Sequence, residues 1–417
     1  MARMPEASHV ICQPDFNTFE RLVSRNRFML AKIGPNSVDP DRQLLYVVEG
    51  YLGGNRVITF DIHPDRLRNG ADALHVFGQV DEAGNPDFQA RAANAQINGR
   101  VGARVRAVVL DKVDHRLFVT DGYNNRVLVF QLDRWDRVLE REATWVIGQP
   151  SVNVSELVAV SRRTVQIPLA LEYDEAEKHL FVADGWGNRV MVFDVHPDRL
   201  ANHPEALYAL GQQDFESITR RTTQDGFDMD IRLFRGITPS AGRIVGLAID
   251  QANRRLFVSD ANNSRVMVFD IAPERLRTGA PAIMVLGQPD FVTSEERTGR
   301  NGMNNPGEIY YDDDYHRVFV NDVYNNRILV FDARPEVLTN GMADSHVIGQ
   351  PDFGSTMPRR TRRGLNQADG LALDLGQQKL FVTDLRNDRL LVFDVHPDRL
   401  ENYPEAIGLL GQENYES

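Results

Sequence analysis

One phrase recurs six times along the chain: LLYVVEGYLGGNRVITFD, LFVTDGYNNRVLVFQ, LFVADGWGNRVMVFD, LFVSDANNSRVMVFD, VFVNDVYNNRILVFD and LFVTDLRNDRLLVFD. Its anchoring arginines, Arg56, Arg126, Arg189, Arg265, Arg327 and Arg389, stand 70, 63, 76, 62 and 62 residues apart. Each such copy must be one supersecondary unit that buries its apolar surface against its neighbours. An aspartate precedes each phrase (Asp39, Asp111, Asp174, Asp250, Asp312 and Asp374), and a turn follows it, HPDRL three times, APERL or RPEVL, with DRWDRVL the one departure. A short apolar run ending in Gly-Gln then closes the unit, as in HVFGQ, WVIGQ and YALGQ. The units run approximately 17–79, 80–149, 150–212, 213–288, 289–350 and 351–412. A length of 417 residues would otherwise suggest two to four domains; the repeat makes 1–417 a single one.

Each unit reads as four strands, a to d: the run ending at the aspartate, then LFV, then RVLVF, then the Gly-Gln run. The runs are short, rich in Val, Ile and Phe, and separated by Asn, Gly and Asp turns. Strands b and c are apolar at successive positions, as in Leu117, Phe118 and Val119, so both faces must be covered. A radial ring supplies that cover, whereas a linear stack needs polar end caps that neither terminus offers. The expected fold is all-β, a six-bladed β-propeller of four-stranded antiparallel blades. The units exceed the ~40–45 residues of an ordinary blade, and the excess lies in the d–a connections. Residues 1–16 hold a seventh strand-d copy, PEASHVICQPDF from Pro5 to Phe16, matched by Pro204–Phe215 and Pro404–Tyr415. Either one terminal copy closes the ring while the other lies alongside it, or the spare strand pairs with another chain.

The D-x-x-N-N-R-V signature resembles the NHL-repeat family of propellers, whose units carry a strand, an Asp, an Asn-rich loop and Arg-Val opening a second strand. The resemblance runs through all six units. It implies a ligand face made by the d–a and b–c loops. RNA-binding members use a basic ligand face, and amidating lyases of this fold hold a His-ligated metal at the channel mouth.

Five Asp–Arg pairs flank the b–c turns: Asp121 with Arg126, Asp184 with Arg189, Asp260 with Arg265, Asp322 with Arg327, and Asp384 with Arg389; Glu49 takes the acid's place in the first unit. A residue needed in every blade is a hairpin clasp rather than a ligand, because a single site needs only one or two copies. The ten histidines fall in a–b turns (His115, His179, His316), c–d connections (His63, His196, His203, His396) or outer strands (His9, His75, His346). None falls on the ligand face, so a His-ligated metal there is not expected. The single cysteine, Cys12, stands where the other copies have the Gly of Gly-Gln and reads as a small apolar side chain. The chain has no G-x-S-x-G, P-loop, G-x-G-x-x-G or zinc spacing. No cofactor is expected; calcium is left open at Asp225, Asp228 and Asp230 of QDGFDMD, which is not an EF-hand loop.

The net charge of −12 argues against bulk polyanion binding but not against a local basic face. The d–a segments hold 21 Arg and Lys against 18 Asp and Glu, an excess of +3 that leaves −15 on the rest. Their basic residues cluster as Arg162-Arg163, Arg220-Arg221 and the run Arg359, Arg360, Arg362 and Arg363. Arginine is the bidentate partner for carboxylate or phosphate, which makes these eight the candidate binding residues. No apolar run approaches the ~20 residues that span a bilayer, so no membrane partner is expected. The start, MARMPEASHV, lacks the apolar stretch of a secretory signal, which favours the cytoplasm.

The expected function is non-enzymatic binding, a scaffold taking a protein partner or itself through the long d–a loops. One alternative is a hydrolase or lyase with a carboxylate-bound cation at the channel mouth, which requires three or four convergent carboxylate or amide oxygens. Another is RNA or a further anionic ligand on the Arg-rich loops.

Overall fold

The computed structural model describes residues 38–410 and Tyr415, apart from 40, 50–54, 64, 67–71, 78, 80–86, 88–104, 136–141, 157–158, 230–244 and 388. Among the described residues, twenty-four strands form six separate four-stranded antiparallel sheets, each a simple meander. The sheets hold β1–β4 (within 38–77), β5–β8 (108–147), β9–β12 (168–210), β13–β16 (247–286), β17–β20 (306–348) and β21–β24 (368–410). Each lies inside one sequence repeat, and together they make the expected six-bladed β-propeller.

Successive side chains on a strand point to opposite faces, which explains the unbroken apolar runs. On β6 (Arg116–Asp121), Leu117 and Val119 join the core shared with blade 1, while Phe118 joins the core shared with blade 3. Six such cores separate the six blades. The last closes the ring: Val47, Ile58 and Phe60 of blade 1 pack with Ala372 of blade 6. The C-terminal strand-d copy forms β24 (Gly408–Leu410), which pairs with β23 as the outer strand of blade 6. The N-terminal copy, with Cys12, lies outside the described residues.

Outer strands have a free edge, and the next blade covers it. The c–d connection of blade 3 brings the Asn202 side chain and the His203 amide to the amide and carbonyl of Val146 on β8. Asn340 and Gly341 do the same for Val285, as Asn402 and Tyr403 do for Val347. Capped edges do not template strand addition.

Among the largest fully buried side chains are arginines: Arg126, Arg189, Arg265 and Arg327 of the phrase have no exposure, and neither have their aspartates. Arg265 Nε lies 2.7 Å from the Asp260 carboxylate. Replacing Arg265 by Met leaves Asp260 buried without its counter-charge, a loss of about 3–5 kcal/mol that urea unfolding reads as a lowered midpoint. Arg199→Ala, which breaks a water-exposed pair with Asp194, leaves that midpoint in place.

Candidate functional site

The face carrying the b–c hairpins and the d–a loops is built by the repeat phrase. In blades 2, 4, 5 and 6 the aspartate opens a short 3-10 turn, such as Gly122–Asn124 and Ala261–Asn263. In blades 2, 4 and 5 the turn ends on a left-handed residue: Asn125, Ser264 or Asn326 at φ 53°, 51° and 53°. Asn favours that region more than most residues do.

Each clasp then reaches outward. Arg189 donates from Nη1 to Phe215 O in the loop leaving its blade, and from Nη2 to Thr164 O (2.9 Å) in the loop entering it. Arg265 holds Phe291 O and, at 3.0 Å, Gly226 O in the same way. Arg389 holds Tyr415 O and Gly364 O at 2.6 and 2.9 Å. The second oxygen of each aspartate accepts a loop amide: Gln166 for Asp184 (2.9 Å), Asn304 for Asp322 (2.7 Å) and Asn366 for Asp384 (2.7 Å). Burial pushes the Asp184, Asp260, Asp322 and Asp384 carboxyls up, against the pull of guanidinium and amide donors.

The asparagines and the Gly-Gln glutamine complete the frame. Asn125, Asn188 and Asn326 accept the amides of Ile167, Met229 and Gln367 at the start of the next blade, at 3.1, 2.9 and 2.8 Å. Gln350 Nε2 bonds Asn326 O and Met357 O at 3.0 and 2.8 Å, tying strand d to hairpin and loop. Its neighbour Gly349 has φ +93° and a Cβ position 2.6 Å from Leu365, so only glycine fits there.

Within this turn one position varies from blade to blade, two residues after the aspartate. It holds Tyr123, Trp186, Asn262, Tyr324 and Arg386 in blades 2 to 6. Its backbone amide bonds the entering loop, as Trp186 does with Gln166 O (3.1 Å) and Tyr324 with Asn304 O (3.2 Å). Tyr123 is 58% exposed, Arg386 is exposed, and Trp186 and Tyr324 are half-buried. Reading the phrase for what repeats passes over the position that varies.

The clustered arginines largely serve the fold. Arg162 Nε donates to Ala206 O (2.7 Å) and its guanidinium lies over Phe215, while Arg163 bonds His203 O and Glu205 at 2.6 and 2.9 Å. Blade 6 repeats this: Arg362 bonds Ala406 O (2.8 Å) and pairs with Glu405 (3.1 Å), and Arg363 bonds Tyr403 O (2.6 Å) and Glu405 (3.1 Å). Arg221 and Arg359 are half-buried and lend their carbonyls to Asn263 and Asn387; Arg220 and Arg360 are exposed. Of the calcium candidates, Asp225 bonds Gln213 and Thr223, Asp228 bonds Asn262, and Asp230 lies outside the described residues. Among the described residues no group of three His, Cys, Asp or Glu side chains is placed to hold a metal ion. The HPDRL histidines shape turns: His196 N bonds Asp194, and His196 Nδ1 accepts the Asp198 amide at 3.3 Å.

Three features are not in the sequence reading. On the opposite face a second set of clasps pairs Asp111 with Arg116, Asp250 with Arg255 and Asp312 with Arg317, each arginine reaching the next blade at Val195, Ala333 or Val395 O. The signal was present as a D-x-x-x-x-R spacing. Between blades 5 and 6, Asn321 donates to Ala368 O and Asp369 O at 2.5 and 3.2 Å, and the buried Oδ1 atoms of Asn321 and Asp369 accept no hydrogen bond. Third, Asp344 is buried at the foot of β20 (His346–Ile348).

No family model matches the chain, and no curated protein matches it. Among solved structures it is similar to a Bacteroides uniformis protein provisionally described as a 6-phosphogluconolactonase, at 13% identity and a TM-score of 0.50, over 87% of this chain and 81% of that one. It is also similar to a functionally unknown protein from Desulfotomaculum acetoxidans, at 12% identity and a TM-score of 0.47, over 88% and 82% of the two chains. The likeness shows the fold alone.

Truncating Arg362 and Arg363 to Ala removes two hydrogen bonds to backbone, at about 0.5–1.5 kcal/mol each. Limited proteolysis then cuts residues 351–367 faster than in the wild type, while retention on heparin changes little. Arginines held free for an anion give the reverse pattern.

Proposed function

We propose that the protein is a non-enzymatic binding propeller of NHL-like pattern that takes a protein partner on its b–c and d–a loop face. One observation carries this reading: the hairpin-turn position that varies from blade to blade holds Tyr123, Trp186, Tyr324 and Arg386 in four of blades 2 to 6, with Asn262 in the fifth. Tyr, Trp and Arg are the residue types that dominate the energetics of protein interfaces. They stand on a frame held by buried ion pairs, so little ordering cost falls due on binding. Exposed Ile218, Val292 and Met357 extend the apolar surface along the d–a loops. Four of the eight clustered arginines pair internally or bond backbone carbonyls, which favours a protein over RNA.

The test is co-purification from the native cells, with partner affinity then measured for Trp186→Ala, Tyr324→Ala and, on the opposite face, Val113→Asp. Each aromatic truncation is expected to cost at least ~2 kcal/mol, about 30-fold in affinity, with Val113→Asp unchanged. A partner lost equally in all three variants, or in none, overturns the reading. Light scattering of the native protein tells whether that partner is a second copy of the chain.

A second reading, a hydrolase or lyase, is favoured by the Asn321 and Asp369 acceptor atoms and by the fold shared with the Bacteroides protein. It predicts turnover of a sugar lactone that Asn321→Ala and Asp369→Ala abolish. Absence of turnover across lactones, with and without added calcium, removes it.

A further inference from the structure

Counting back six residues from the Gly-Gln glutamine gives the residue whose amide, in blades 3 to 6, holds the entering d–a loop. In five blades it is a buried alanine: Ala73, Ala143, Ala206, Ala282 and Ala406. In blade 5 it is Asp344, with no exposure and with neither carboxylate oxygen in a hydrogen bond. Its backbone does what the alanines do: the Asp344 amide donates to Arg300 O at 2.7 Å, as the Ala406 amide donates to Arg362 O at 3.0 Å. The side chain is what sets blade 5 apart.

Charged groups surround that carboxyl without bonding it. From the entering loop, Arg300 Nε lies 3.7 Å from Oδ1 but donates to the Asp344 carbonyl, with its guanidinium over Phe353. From the b–c hairpin come Arg327, committed to Asp322, Gly299 O and Gly302 O, and Asp322 itself. His346, two residues on, opens the strand that follows, and burial with nearby Arg317 and Arg300 lowers the pKa of its imidazole. A buried carboxylate with no donor costs far more than the neutral carboxyl in the same place.

We propose that Asp344 is a pH-sensitive release for the loop entering blade 5, closed when its carboxyl is neutral and loosened when it ionises. Once charged, the carboxylate takes water, draws Arg300 from the Asp344 carbonyl, or draws Arg327 Nη2 from the carbonyls of Gly299 and Gly302. Each route disturbs the Arg300 turn. Burial, with the Asp322 charge, pushes the carboxyl up to about 8 against the pull of Arg327 and Arg300. The folded value lies above the unfolded value of about 3.9, so the neutral form's stabilisation is complete below pH ~4 and is lost as pH rises through about 8. The inference rests on the proposed binding face only for its consequence: the loop carries Val292, so a partner seated there is held more weakly at alkaline pH.

Hydrogen exchange on the full chain between pH 6.5 and 9, corrected for intrinsic rates, tests the release directly. The amides of Arg297, bonded to Met303 O, and of position 344 are read against Arg359, bonded to Leu365 O, and Ala406, their counterparts in blade 6. Protection in blade 5 is expected to fall about tenfold or more across that range while blade 6 holds. Asp344→Ala, the residue of the other blades, and Asp344→Asn are both expected to abolish the difference. Equal pH trends in the two blades, or a blade 5 trend that survives in either variant, overturn the release. Because no partner is needed, failure here is distinct from failure of the binding reading, which the Trp186 and Tyr324 variants decide.

Discussion

A guanidinium with five donors, sunk beside a carboxylate, is what the rest of this propeller hangs on. Long d–a loops lay irregular backbone across the ends of the blades, and every buried carbonyl there needs a donor. Arg265 shows how one side chain meets the need: Nε goes to Asp260, Nη1 to Phe291 O in the departing loop, and Nη2 to Thr223 O and Gly226 O in the arriving one. A hydrophobic residue of the same size would pack as well and leave three carbonyls unbonded. That asymmetry explains a buried ion pair where apolar substitution is often neutral elsewhere. Lysine has the charge but not the fork, which accounts for arginine in all six units.

The clasp also explains why the units run so much longer than an ordinary blade. Backbone that would stay mobile is fixed at the aspartate, at both guanidinium nitrogens, at the left-handed residue and at the Gly-Gln glutamine. Among the described residues the loop backbone is thus tied at several points in a blade, and the second clasp set, Asp250 with Arg255 and its relatives, ties blade to blade on the opposite face. Loops on a rigid scaffold are where recognition is carried, and here the loops themselves have become scaffold.

Architecture was legible in the sequence because its signals are local and repeated. Leu117, Phe118 and Val119 are apolar in succession, and that alone demands cover on both faces. The pairing of Asp121 with Arg126 was legible as structural from its recurrence. Arg163 and Arg363 were not legible, because the partners that occupy them, Glu205 and Glu405, lie 42 residues away and meet them only once strand d folds back beneath the loop. Charge counted along a segment says nothing of charge already spent. Asp344 was one acid among 59 Asp and Glu until the register set it level with five alanines.

Repetition hides function as effectively as it reveals fold. Six copies share one geometry, so whatever is common to all of them is answered by the ring, and a site must be sought where copies differ. Two kinds of difference survive that filter. One is the turn position that runs Tyr, Trp, Asn, Tyr and Arg, where the Asp–Arg pair recurs whichever side chain stands there. The other is Asp344, where the frame plainly selects alanine and a carboxyl persists against a desolvation cost. A tolerated difference points to a surface that recognises something, whereas a costly one points to a property that the cheaper residue does not supply. In blade 5 the property that alanine lacks is a proton that can leave.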